Sequence, residues 1–381
     1  MSKKQNQLSN NNQTENFDIM NHSISGVNII YHSVGPGGGM ERYVMDLIQG
    51  LLRKNIKVRV ITRKLQWIGN IPNGLDFIVL NKFKALGSRI ANLYFEEFSI
   101  REINALWPVI SISRIPFISD IAISGGTHKY HLLAKKKKLF SFYHWKTTRN
   151  ERLQYKNAKK VIAHSQFIAN EISTGYEIQN DKIETLYPPI DKHHFSLLAR
   201  ERRSEIRKNW GVSDQDFLLI FPSNDHIRKG ADLILKALEK SDPRIRLVVA
   251  GRKAIVNDRV INLGFQSDMA GVYAAGDAAI LASVYEPFGL VGPESILCGT
   301  PAILADTIGS TEVLAEPACY KFPRSVDGLI QMFDRVLKLH DAGKLSLTDP
   351  KQYLNYDSDL DNHIDHLLNR LPKKEFKSIE Q

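Results

Sequence analysis

Cysteine is scarce: Cys298 and Cys319 are the only two in 381 residues. A disulfide framework is thereby excluded, and two thiols in a large chain are expected to be free and buried. Long apolar runs are missing as well. The stretch at residues 217–222 is strand-length, far short of the roughly 20 residues that span a bilayer. Residues 1–22 are rich in Asn, Gln and Ser and lack the apolar stretch of a secretory signal. They read as a disordered tail, and the chain is expected in the cytoplasm. Acidic metal motifs are few. Asp214-Gln215-Asp216 precedes a strand instead of ending one, and Asp357-Ser358-Asp359 falls in a polar tail. Both read as solvated acids, so neither a metal nor a cofactor is expected. Zinc-finger spacing, an RNP motif and a basic zipper are also absent, which argues against nucleic acid as a partner.

What is present is positive charge, unevenly spread. The formal net charge is +10. Residues 127–160 hold 11 Lys or Arg against a single acid, Glu151. Lys135, Lys136, Lys137 and Lys138 run into Leu139, Phe140, Phe142, Tyr143 and Trp145. Lysines beside exposed aromatics suit an anionic membrane surface or an acidic acceptor.

From Val27 onward, short apolar runs alternate with helical periodicity. Residues 27–31 read as a buried strand and residues 35–39 as a glycine loop. Met40, Val44, Leu47, Ile48, Leu51 and Leu52 share one helical face. Further strands are expected at residues 58–62, 77–80, 109–113, 121–124, 160–163 and 183–186. Tyr187-Pro188-Pro189-Ile190 breaks the pattern, since consecutive prolines end regular structure. Beyond it, strands at residues 217–221, 245–250, 278–282 and 301–304 alternate with helices at residues 230–239, 268–275, 326–338 and one beginning near Gly289. This is an α/β chain of two doubly wound, Rossmann-like halves, residues 23–188 and 189–345, with ligands expected between the carboxyl ends of the two sheets. A polar tail, residues 346–381, carries a last helix at residues 360–371.

Four segments carry chemistry. In Glu286-Pro287-Phe288-Gly289-Leu290-Val291-Gly292-Pro293-Glu294, two carboxylates stand eight residues apart, roughly 12 Å of helical rise. That suits one acid at each end of a nucleotide diphosphate sugar. Glu286 would take sugar hydroxyls and Glu294 the ribose, with backbone N–H groups facing the diphosphate. Arg228-Lys229-Gly230 is expected at a helix start. Cations are electrostatically unwelcome there, which argues for an anionic ligand. Gly35-Pro36-Gly37-Gly38-Gly39 lets backbone approach a ligand closely. Ser124-Gly125-Gly126-Thr127-His128 aims a histidine into the cleft from a strand end. His164 follows another strand, before the helix cap Ser165, and suits a structural or a functional role equally.

Together these segments resemble glycosyltransferase family 4, the group that includes lipopolysaccharide core transferases, over about residues 26–339. The most specific part is the Glu-x7-Glu stretch with Pro-Phe-Gly-Leu inside it and Cys298-Gly299-Thr300-Pro301 behind it. The resemblance implies a GT-B fold and metal-independent, retaining transfer of a hexose or N-acetylhexosamine, with a UDP-sugar favoured. Its implied partners are the nucleotide sugar and a glycan or glycolipid acceptor, met at the inner face of the cytoplasmic membrane. It also implies catalytic roles for His128, Arg228, Lys229 and Glu286. Donor contacts are implied at Gly38, Gly39, Arg228, Lys229, Glu286, Phe288, Gly289, Leu290 and Glu294. The last helix is the candidate for one crossing back to the first domain. A capsule or other lipid-linked glycan is an alternative acceptor, and a non-catalytic nucleotide-sugar-binding protein is the alternative of another class.

Overall fold

The computed structural model describes residues 24–82, 84–117, 119–135 and 141–372. The expected tail at residues 1–22 lies outside them, as do Lys136, Lys137, Lys138, Leu139 and Phe140.

Two parallel sheets dominate the described residues. The first runs in the order Leu75–Val79, Lys57–Thr62, Gly26–Ile30, Val109–Ser111, Ile121–Ser124, Lys160–Ala163, Ile183–Thr185. The second runs Val260–Gly264, Ile245–Ala250, Phe217–Pro222, Ala278–Leu281, Ala302–Ala305, Cys319–Phe322. In both, the chain starts centrally, winds outward and reverses, which opens a crevice at the carboxyl ends of the strands. The central strands Gly26–Ile30 and Ile121–Ser124 are buried throughout, because helices cover both faces of a parallel sheet. Strands of these two sheets missed from sequence are Val260–Gly264 and Cys319–Phe322, one at each edge of the second sheet.

The last helix, Leu360–Arg370, packs on the first domain. Ile364, Leu367 and Leu371 join the core built around Val27, Val44, Leu47 and Leu51. A Cβ on Gly50 would stand 2.7 Å from Ile364 Cγ1. Glycine mid-helix is destabilising by about 0.5–1 kcal/mol relative to alanine, and here it makes room for the returning helix. His366 and Arg370 add bonds to Glu184 at 2.7 and 2.9 Å. Beside the Pro188-Pro189 break, the Ile190 N–H donates to the Ser358 carbonyl at 3.0 Å. The outgoing and returning strands of the chain therefore cross between domains side by side.

Candidate active site

The second domain supplies most of the polar groups facing the crevice. Arg228 and Lys229 were expected to open a helix. Instead they end one: His226–Lys229 is a single turn, and Gly230 then adopts φ 81° before Ala231–Glu239 begins. Cations suit the last turn of a helix, so their position alone is not the electrostatic anomaly that the sequence suggested. Gly230 is obligatory: a Cβ there would lie 2.1 Å from the Ala282 carbonyl oxygen. That close approach lets Ala282 N–H donate to the Lys229 carbonyl and Val284 N–H to the Arg228 carbonyl, at 3.2 and 3.0 Å. Both cations are thus fastened to the carboxyl end of the strand Ala278–Leu281.

Each cation then finds a partner. Arg228 Nη1 meets Glu286 Oε2 at 2.7 Å and the Tyr285 carbonyl at 3.2 Å. The same Glu286 oxygen accepts from Ser283 Oγ at 3.2 Å. Lys229 Nζ donates to the Pro222 carbonyl at 2.9 Å, and burial lowers its ammonium from the ordinary lysine range. Glu294 lies on the buried helix Val291–Leu297, with Pro293 inside the first turn, where its missing N–H is harmless. Its carboxylate accepts from Tyr273 OH at 3.0 Å and from Arg42 Nη1 at 2.8 Å. Burial raises the Glu294 carboxyl above its usual range, against the pull of Arg42.

Arg42 comes from the first domain, one turn into the helix Gly39–Arg53, and was not anticipated. Gly38 caps that helix, with its N–H bonded to Glu41 Oε2 at 3.1 Å. A Cβ on Gly39 would contact Leu290 across the crevice at 3.7 Å. One cavity of about 460 Å³ therefore brings together Gly38, Gly39, Arg42, Arg228, Lys229, Glu286, Phe288, Gly289, Leu290 and Glu294. Gly289 holds φ 88°. The Phe288 ring is buried between Tyr187 and Tyr356, so it packs more than it faces the cavity. His164 also lines this cavity. Its Nε2 has no hydrogen-bond partner among the described residues, and burial holds the imidazole down to about 3.

His128 does not join this group. It opens the helix His128–Ala134 and lines a second cavity of about 470 Å³, walled mostly by the first domain. The two cavities share Met40, Gly125, Arg228 and Pro287 as walls. His128 Nε2 faces His144 Nδ1 at 3.0 Å, and its backbone N–H donates to Glu151 at 2.9 Å. Burial first, and the charge of Arg114 second, hold its imidazole down to about 3. Both effects favour the neutral imidazole.

Contacts across the crevice hold the domains together. Tyr285 OH donates to Glu171 at 2.8 Å and accepts from Thr127 N–H at 3.0 Å. Ser165 Oγ donates to the Pro287 carbonyl at 2.6 Å. Glu312 accepts from the N–H groups of Gln166 and Phe167, at the start of the helix Gln166–Tyr176, at 2.8 and 2.7 Å. A carboxylate at a helix N-terminus is favourably placed. Both cysteines are buried and unbridged. Among the described residues no group of three His, Cys, Asp or Glu could hold a metal ion, and no helix is long and apolar enough to cross a membrane. Of the two acidic motifs, Asp216 accepts from Ser213 N–H, and Asp359 caps the last helix.

The family described as glycosyl transferases group 1 matches residues 202–346, the part that carries Arg228, Lys229, Glu286 and Glu294. A "probable transglycosylase" of Burkholderia thailandensis is 33% identical over 348 residues, spanning 87% of this chain and 93% of that protein. The crystal structure of WaaG, a glycosyltransferase involved in lipopolysaccharide biosynthesis, superposes with a TM-score of 0.74 at 18% identity, covering 90% of this chain and 98% of WaaG. HepE of Anabaena, solved with UDP-glucose, gives 0.66 at 18% identity, covering 90% and 99%. The two facing doubly wound domains are thus the GT-B fold, and the chain belongs to the group 1 glycosyltransferases.

Proposed function

We propose that the chain is a retaining, metal-independent transferase of the family 4 type. It moves a hexose or N-acetylhexosamine from a UDP-sugar to a bacterial surface glycan such as lipopolysaccharide core. The observation that carries this reading is the single cavity walled by Arg228, Lys229, Glu286, Glu294 and the Gly38-Gly39 loop. Arg228 and Lys229 suit the diphosphate. As the bond to the sugar breaks, negative charge builds on the leaving group, and fixed cations stabilise that state more than the ground state. They also do the work for which other transferases use a divalent ion. Glu294 suits the ribose hydroxyls, and Glu286, steadied by Ser283 and Arg228, suits the sugar. Gly38, Gly39, Gly289 and Leu290 offer backbone close to the donor, beside Phe288. His128, on the acceptor side of the shared wall, serves as a neutral hydrogen-bonding group near the transferred sugar. WaaG and HepE, as lipopolysaccharide and UDP-glucose proteins, lend support to the acceptor and donor classes.

The exposed Phe142 and Trp145, 74% and 59% accessible and adjoining the lysine run, support docking on the inner face of the cytoplasmic membrane. A capsule or other lipid-linked glycan fits the same cavities. A non-catalytic binder is disfavoured by the intact cation pair.

The test is a thermal-shift screen of nucleotide sugars, with and without a chelator, followed by proton NMR of the product. A UDP-sugar should raise the melting temperature regardless of chelator, because a ligand that binds only the folded state stabilises it. The product should keep the donor's anomeric configuration. Strict dependence on magnesium or manganese, or an inverted anomer, would overturn the reading.

A further inference from the structure

We infer that the second cavity seats the acceptor by a phosphate group, so that the acceptor is a phosphorylated sugar or a phosphate-linked lipid. This rests on the transferase reading above.

The charged groups walling that cavity are mostly cationic. Arg89, Arg114, Lys135 and Arg228 face it, against one carboxylate, Glu151. Glu151 is already spent on Arg114 Nε at 3.1 Å, the His128 N–H and the Tyr176 hydroxyl. Arg228 is shared with Glu286, and Lys135 reaches Asp225 only at 3.3 Å on the exposed rim. Arg89 lies over the Tyr143 ring at 5.5 Å and has no acidic partner among the described residues. A neutral sugar would leave this excess of positive charge without a counterpart. A divalent cation would be repelled by the surrounding guanidinium and ammonium groups, even though His128, His131 and His144 stand nearby. A phosphate uses what is present: it accepts several bonds at once and pairs well with arginine.

The imidazoles stand in the same cationic surroundings. Burial and the Lys135 and Arg228 charges hold His131 down to about 4, and burial and Arg114 do the like for His128. An anion would offset those charges and let both imidazoles protonate more readily. Position completes the argument. The shared walls Met40, Gly125, Arg228 and Pro287 put a phosphate here next to the cavity proposed for the donor.

The experiment is calorimetry on the full-length protein. UDP binding is measured first. The UDP-saturated protein, whose diphosphate site is filled, is then titrated with glucose 6-phosphate, glucose, and short-chain phosphatidic acid against the matching diacylglycerol. The proposal expects at least one phosphate-bearing probe to bind ten-fold or more tighter than its neutral counterpart. Binding of the sugar phosphate identifies a soluble acceptor, and binding of the lipid phosphate a lipid-linked one. Arg89→Gln combined with His131→Gln, both at least partly exposed and away from the Arg114–Glu151 pair, should cut that preference several-fold without changing UDP affinity. Equal binding of charged and neutral probes, or a double variant that binds like the parent, overturns the proposal. Failure of UDP to bind would count against the donor reading alone, and the same probes without UDP would still read this cavity.

Discussion

Arg42 and Glu294 stand 252 positions apart and meet at 2.8 Å across the domain crevice. The carboxylate is 8% exposed and the guanidinium 38%. A buried carboxylate whose proton affinity is raised by burial depends on such a cation to stay ionised. On the proposed reading the ionised form, a stronger acceptor than the neutral one, takes the ribose hydroxyls. Arg42→Ala and Glu294→Gln should therefore each raise the donor Michaelis constant, by about ten-fold, the worth of one charge-assisted hydrogen bond. The double variant should be little worse than either, because the residues act as one unit. Steady-state kinetics checks this, and a loss confined to kcat in either variant would contradict it.

Lys229 should behave differently. On the proposed reading it meets the charge that develops on the leaving diphosphate, so Lys229→Ala should cost about 100- to 1,000-fold in kcat, the usual loss of one preorganised stabilising group. The dissociation constant for UDP should shift far less. Comparable losses in both would make Lys229 an ordinary binding residue.

The lysine run can be separated from the cavity. Replacing Lys136, Lys137 and Lys138 with Gln should weaken binding to phosphatidylglycerol vesicles by about 1 kcal/mol per charge. Lys135, paired with Asp225, stays in place, and turnover on a soluble acceptor should survive. Unchanged vesicle sedimentation would reduce the segment to a solvated face.

A further prediction concerns pH. His363 is 3% exposed, bonded to Tyr43 OH at 2.8 Å, and burial holds its imidazole down to about 3. The unfolded chain binds that proton near pH 6.5 and the folded chain does not. The stability it contributes is thus complete above pH 6.5 and is lost as pH falls toward 3. Glu96 and Glu171, raised by burial to about 7, act in the opposite sense, gaining stability as pH falls through that range. The readout is therefore a difference between proteins. From pH 7.5 to 5, wild type should lose about 2 kcal/mol more than His363→Gln, measured by denaturant titration. Parallel pH profiles would refute the assignment.

Much of this architecture was legible in the sequence because buried parallel strands announce themselves as short apolar runs. Ile245–Ala250 and Ile121–Ser124 fall on the expected residues. Val260–Gly264 and Cys319–Phe322 escaped because edge strands carry outward residues such as Asn262 and Lys321, which blur the run. Gly230 was absorbed into a helix, since periodicity does not reveal that a neighbouring carbonyl forbids any Cβ. The donor-side carboxylates were visible because they sit in one contiguous motif. Arg42 was not, because nothing local marks a partner so distant in sequence. The second cavity was hidden for the same reason: Arg89, Arg114, His131 and His144 come from four separate segments, and only His128 lay in a recognisable context.

The returning helix has a mechanical consequence. A pair of domains joined by one strand of chain can swivel about any axis through that point. Here two strands cross side by side, tied by the Ile190–Ser358 bond, like a door hung on paired pins. Two crossings restrict the relative movement of the domains more than one would, which favours keeping Arg42 against Glu294 and Tyr285 against Glu171. Cutting the chain before Leu360 would remove one of the two crossings and, with it, Ile364, Leu367 and Leu371 from the core of the first domain.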